Sequence, residues 1–174
     1  GLAQIAASGG QLGIAAKDLA GFTNVVAKMA TAFDMSAEEA GDAMAKLANV
    51  YQIPITEMSK LGDAINHLSD NTAAKAKDMV PALNRIGGTA RQFGLTPVQA
   101  SALAGSFISL GKAPEKAGTA INAMLSKLQT AGKQGKKFQE ALRQMGISAK
   151  QLEKDIGQDA QGALIKFLEA MEKM

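Results

Sequence analysis

The sequence predicts an all-α protein, a bundle or array of about eight to ten short helices joined by tight turns capped with Gly, Ser and Pro. Three observations predict it. Apolar residues recur at three- and four-residue steps along nearly the whole chain, which is the spacing that turns one helix face toward a core. No stretch alternates β-branched apolar residues with polar ones, so no strand is expected. The same set of turn and capping residues recurs between the apolar stripes.

The stripes follow one another in order. Leu19, Phe22, Val26, Met29 and Phe33 form one; Ala40, Met44, Leu47 and Tyr51 the next; Met58, Leu61, Ile65 and Leu68 the third. Met79, Leu83, Ile86, Ala90 and Phe93 come after these, then Ala100, Leu103, Phe107 and Leu110, then Ala117, Ile121, Met124 and Leu128. Shorter stripes close the chain at Phe138, Leu142 and Met145, at Leu152 and Ile156, and at Leu164, Phe167 and Met171. These boundaries suggest a helical core over residues 1–130 and a C-terminal helical extension over 131–174 packed on the same domain.

Four joints share one grammar: Leu12 to Leu19, Phe33 to Ala40, Phe93 to Ala100 and Met145 to Leu152. In each, Gly13, Asp34, Gly94 or Gly146 stands where a helix must leave right-handed space, and an apolar residue follows to staple the next helix. Ser36, Thr96 and Ser148 are then N-caps, with Glu39, Gln99 and Gln151 placed to complete capping boxes. The first joint has Ala15 at that position and lacks the hydroxyl. Pro97 and Pro114 suit first-turn positions, where a missing N–H costs nothing, and Pro81 is expected near a helix start. Gly87-Gly88 falls inside a stripe and is read as a close-packing site.

A second echo links Gly62-Asp63-Ala64-Ile65-Asn66 to Gly118-Thr119-Ala120-Ile121-Asn122. It is either the trace of two diverged hairpins or the common demand of short antiparallel helices for similar caps.

Composition agrees with close-packed helices. The apolar share is 47 %, enough for one real core in 174 residues, yet aromatic residues are only 4 %, so Ala, Leu, Ile and nine adaptable Met carry it. The absence of Cys excludes disulfides, thiolate catalysis and zinc-thiolate sites. The net charge of +3, from 19 basic and 16 acidic residues, is well mixed and gives no electrostatic grip on nucleic acid. The chain starts at Gly1 inside a small-residue stretch, without a signal region, and reads as a piece of something longer. The uncharged run from Phe93 to Gly111 approaches spanning length, but Thr96, Pro97, Gln99, Ser101, Ser106 and Ser109 make it a buried helix instead.

Chemistry is scarce. With one His, no Cys and scattered acids, no catalytic constellation forms, and no catalytic, cofactor-binding or metal residue is assigned. Asp63, His67 and Asp70 share a helix face, but a closed metal site wants about four ligands, so a solvated face is the reading. Gly132-Lys133-Gln134-Gly135-Lys136-Lys137 resembles the Gly-rich loop of RNA-binding KH modules, which need strands that are missing here; it reads as a basic connection between helices. Gly111-Lys112 and Gly118-Thr119 lack phosphate-loop spacing, and Gly9 with Gly13 marks a tight helix contact or a turn.

With the helices placed, the chain resembles the core region of phage tail tape measure proteins, also called phage minor tail proteins. The segments that carry the likeness run in family order: Gln11 to Ile14, Phe22 to Ala30, Ser36 to Ala40, Ala45 to Val50, Leu61 to Asn66 with Asn71-Thr72, Arg85 to Ala90, Phe93 to Leu95, and Gly111 with Lys116 to Ala120. Pro114-Glu115-Lys116 stands where the family usually has a Gly before the last element.

The resemblance implies a non-enzymatic structural component of tail assembly, part of a long helical protein that fills the tail tube and sets its length. It implies tail tube and tail assembly chaperone proteins as partners, with self-association possible, in the virion tail and, during assembly, the host cytoplasm. No cofactor, no small-molecule substrate and no nucleic acid is expected, while a membrane stays open for the parent protein. An unbroken helix advances about 1.5 Å per residue and so converts residue count into distance. Caps about every 15–25 residues suit a folded bundle better than one rod. Alternatives are a membrane-active or DNA-passage-assisting segment and, less favoured because no acid pair is present, part of a cell-wall hydrolase.

Overall fold

The computed structural model describes residues 1–174. It has ten α-helices and no strand: α1 (Leu2–Gln11), α2 (Leu19–Ala32), α3 (Ala37–Tyr51), α4 (Met58–Asn71), α5 (Ala76–Phe93), α6 (Pro97–Ser109), α7 (Pro114–Gln129), α8 (Lys136–Gln144), α9 (Ala149–Gln158) and α10 (Ala160–Glu172). The first seven make two layers. α1, α3, α5 and α7 pack side by side in one, and α2, α4 and α6 pack side by side in the other, so that successive hairpins stack into an array.

Hydrogen bonds fix the register of the first layer. Asn84 Nδ2 donates to the Ala43 carbonyl at 3.3 Å and Arg91 Nη1 to that of Val50 at 3.0 Å. One step along the array, Asn122 Nδ2 donates to the Arg85 carbonyl at 3.2 Å and Gln129 Nε2 to that of Gln92 at 2.8 Å. Donor and acceptor advance together, so these helices are parallel, with sequence separations of 41 and 37 residues. Asn49 makes the corresponding bond from α3 to the Leu12 carbonyl. This spacing is the array's period. The echo between Gly62–Asn66 and Gly118–Asn122 does not follow it, because the first lies in α4 and the second in α7, in opposite layers.

The expected joints form, and two more share their geometry. The left-handed residues are Gly13, Asp34, Gln52, Gly94, Gly111 and Gly146. In each case the next N–H reaches back to a carbonyl of the last helical turn, from Ile14 to Gly9, Met35 to Ala30, Ile53 to Ala48, Leu95 to Ala90, Lys112 to Phe107 and Ile147 to Leu142, which is the Schellman bond. The turn before Pro114 is closed in this way by Gly111, so the departure from the family pattern leaves a normal joint.

Ser36 with Glu39 and Thr96 with Gln99 make complete capping boxes. Ser148 makes only half of one. It accepts from the Gln151 amide N–H at 3.4 Å, but the Gln151 side chain donates forward to Asp155 at 2.6 Å, a carboxylate being a stronger acceptor than the box offers. Pro81 lies in the second turn of α5 on an exposed face, where it removes one donor without ending the helix.

Forty-one apolar residues form one core cluster from Ile5 to Phe167. Leu68, Phe107, Met124, Phe138 and Met145 of the stripes are partly buried against it, Leu19 is partly buried, and two stripe members are exposed. Leu110 is 78 % exposed because it caps α6 at a joint whose following residue is Lys112, with no apolar staple. Met171 is 51 % exposed because the last turn of α10 overhangs the core beyond Phe167.

Glycines set the closest approaches. A Cβ at Gly87 would lie 2.8 Å from Val50 Cγ1 and one at Gly9 2.9 Å from the Phe22 ring, whereas one at Gly88 would meet nothing. Residues 131–174 join the same core: Ala160 lies beneath Gly94, and Gln99 donates to Gln161 at 2.6 Å.

Candidate functional site

The residues singled out for possible chemistry do not converge. Asp63, His67 and Asp70 are exposed on α4, where Asp70 accepts from Asn66 Nδ2 at 2.9 Å and the His67 ring pairs with Asn71 at 3.3 Å. His67 and Asp70 are each engaged by a neighbour on their own helix. No group of three His, Cys, Asp or Glu side chains is arranged to hold a metal ion.

The basic connection at Gly132–Lys137 is closed by protein contacts. Gly132 N–H donates to Glu153 Oε1 at 2.8 Å, and Gln139 Nε2 donates to the Gly132 and Gln134 carbonyls at 3.0 and 2.8 Å. A carboxylate from α9 thus occupies the amide that a phosphate would need. Gly118 sits inside α7 against the Arg85 stem, and Thr119 donates to the Glu115 carbonyl at 2.9 Å, so neither offers a phosphate cradle.

A groove of about 600 Å³ lies between α3 and α5 and carries both charge signs. Its walls include Asp34, Glu39 and Asp42 opposite Lys77 and Asn84, with Lys77 Nζ 3.9 Å from Asp34 across the layer. Glu39 is held below the usual carboxylate range because its side chain accepts from Ser36. An apolar groove of about 230 Å³ between α2 and α4 is walled by Val25, Met29, Phe33 and Gly62. No helix is long and apolar enough to cross a membrane.

Two surface features escaped the sequence reading. Ile165 and Leu168 leave an apolar strip on α10 beside the face buried through Ala163, Leu164 and Phe167, which Met171 continues past the core. The adjacency of Leu164-Ile165 and Phe167-Leu168 is the signal for it, since a helix apolar on more than one side has more to cover than a single core face. The ladder of Asn84, Arg91, Asn122 and Gln129 is the other. Its signal is the recurrence of long-reaching donors at one period.

Comparison with known proteins places this packing-dominated array. The family model described as phage-related minor tail protein matches residues 1–174. The chain is 30 % identical over 150 residues to a protein named probable tape measure protein from Halomonas phage phiHAP-1. That alignment covers 86 % of this chain and 17 % of the relative, so the chain spans about a sixth of that protein's length. No solved structure matches.

Proposed function

This chain belongs to the phage-related minor tail protein family, and from that premise we propose that it is a structural segment of a tape measure protein, acting in tail assembly and in setting tail length. The family match over the whole chain is the observation that carries the reading. The molecule's chemistry supports it, since the polar side chains with defined partners serve caps, ladders and joints. The segment holds its place by packing and carries out no reaction.

Its place in this proposal is the lumen of the virion tail tube, reached from the host cytoplasm during assembly. Its partners there are tail tube and tail assembly chaperone proteins and other copies of itself, through apolar helix faces such as the α10 strip. Residues 131–174 serve as an extension that closes the C-terminal side of the array.

In-frame removal of residues 11–130 from the parent gene should give tails that are shorter or fail to assemble, as seen by electron microscopy. Normal numbers of wild-type-length tails would remove the tail-length role. Purified protein should leave bacterial cell walls turbid; clearing would overturn the non-catalytic reading.

A further inference from the structure

We propose that α1 is an inner member of the array, its bare face covered by a further parallel helix of the parent chain, 37–41 residues upstream of Gln4 and Gln11. This rests on the reading above only in taking the chain as a segment of a longer protein, as the phage relative is, of whose length the chain spans about a sixth.

Two independent observations on α1 carry it. The first is chemical. From Leu2 to Ala16 the chain has no charged residue, although Leu2, Ala3, Ala7 and Gly10 are exposed, Leu2 to 63 %. The outermost unit of a stacked array needs a polar outer face to stay in solution. The C-terminal side of the molecule has one, with Lys136, Lys137, Glu140 and Arg143 exposed on α8. α1 instead presents alanine and glycine, over which a second backbone can pass closely. Such an approach already occurs between α1 and α3, where a Cβ at Gly41 would lie 3.1 Å from Ile5 Cα.

The second observation is geometric. Each later helix of this layer sends side-chain donors to carbonyls at or near the helix before it: Asn49 to Leu12, Asn84 and Arg91 to α3, Asn122 and Gln129 to α5. In α5 and in α7 the two donors stand seven residues apart, close to two helical turns, so both lie on one face. Gln4 and Gln11 repeat that spacing in α1, and Ala7 stands between them where Gly87 stands between Asn84 and Arg91. Ile5, Ser8 and Gly9 are the residues of α1 that α2 and α3 bury, and both Gln side chains lie exposed off that face. Gln4 Oε1 accepts from the Gly1 amino group, but neither Gln amide nitrogen has a partner within the chain. These are ladder donors whose carbonyls belong to a helix on the open side of α1, and the array's own period places that helix upstream.

The test compares the free full-length parent protein with the same protein lacking the segment of about 45 residues before Gly1, one repeat of such an array. Amide hydrogen exchange in peptides from Leu2–Gln11 should be at least about tenfold slower with the segment present, while exchange in α5 stays the same. Ala7→Lys in the full-length protein sets a charge beneath the neighbour and should abolish the protection of α1 alone. The same substitution in residues 1–174 should leave the thermal midpoint unchanged, because Ala7 is exposed there. Equal exchange in α1 with and without the segment, or with and without Ala7→Lys, overturns the proposal, as does a parent gene with no coding sequence before Gly1. Protection of α1 that rises with protein concentration also overturns it, since a second copy would then be the occupant. The Ala7→Lys arm keeps the segment in place and decides the question even where the truncated protein unfolds. Wild-type tails in the deletion experiment above, together with a protected α1 here, would remove the tail-length role and leave the proposal standing.

Discussion

Adjacent glycines in α5 show how local the constraints are. Gly87 faces Val50 at a distance that no real Cβ keeps, while Gly88 faces open space on the same helix. Gly87→Ala should lower stability by about 1–2 kcal/mol, overpacking outweighing the gain in helix propensity, whereas Gly88→Ala should raise it by up to about 1 kcal/mol. Thermal unfolding of the two variants side by side checks both signs.

Tyr51 is the chain's one tyrosine, and its Oη is buried without a partner, which pushes the phenol well above its ordinary value of 10.0. A phenol whose folded pKa is raised by burial leaves stability unchanged with pH below its unfolded value and lowers it as pH rises above that value, where the buried group resists ionising. Tyr51→Phe should therefore be neutral or slightly stabilising at neutral pH, within about 1 kcal/mol. It should also flatten the stability decline above pH 10, read by denaturant unfolding of both proteins across that range.

At the scale of elements, the caps form a graded series. Ser36→Ala and Thr96→Ala each break a reciprocal box and should cost about 1 kcal/mol, while Ser148→Ala, losing one long bond, should cost less. The Ser36 box also carries a pH signature. Glu39 has its pKa lowered by accepting from Ser36, so its contribution is present above the ordinary value of 4.5 and fades as pH falls through the lower folded value. The effect of Ser36→Ala should shrink in acid, and that of Thr96→Ala should not, because Gln99 does not titrate. Denaturant midpoints of the two variants at neutral and acidic pH separate these outcomes.

For the whole molecule, a stack whose helices contact mainly their neighbours should be most stable at its centre. α3 and α5 are covered on both sides, whereas α8 buries only Leu142 completely. Amide hydrogen exchange should therefore be slowest in α3 and α5 and fastest in α8. Equal protection along the chain would mean that the array unfolds as one indivisible unit.

Helix content, the four shared joints, the N-caps and most of the core were legible in the sequence because each depends on neighbours within about one turn. The Ser36 box and the Gly94 turn follow from a few consecutive residues. α1 was hard to read for the same reason, since Ile5 is its one large buried side chain. Gln52 gave no cue, being a residue that enters left-handed backbone only when the fold requires it. The two layers, the period carried by the Asn and Gln ladder, the exposure of Leu110 and the uncovered strip on α10 were decided by tertiary structure alone. Each depends on which helix lies alongside which, and neither the recurring donors Asn84, Arg91, Asn122 and Gln129 nor the doubled apolar pairs of α10 name the helix they face.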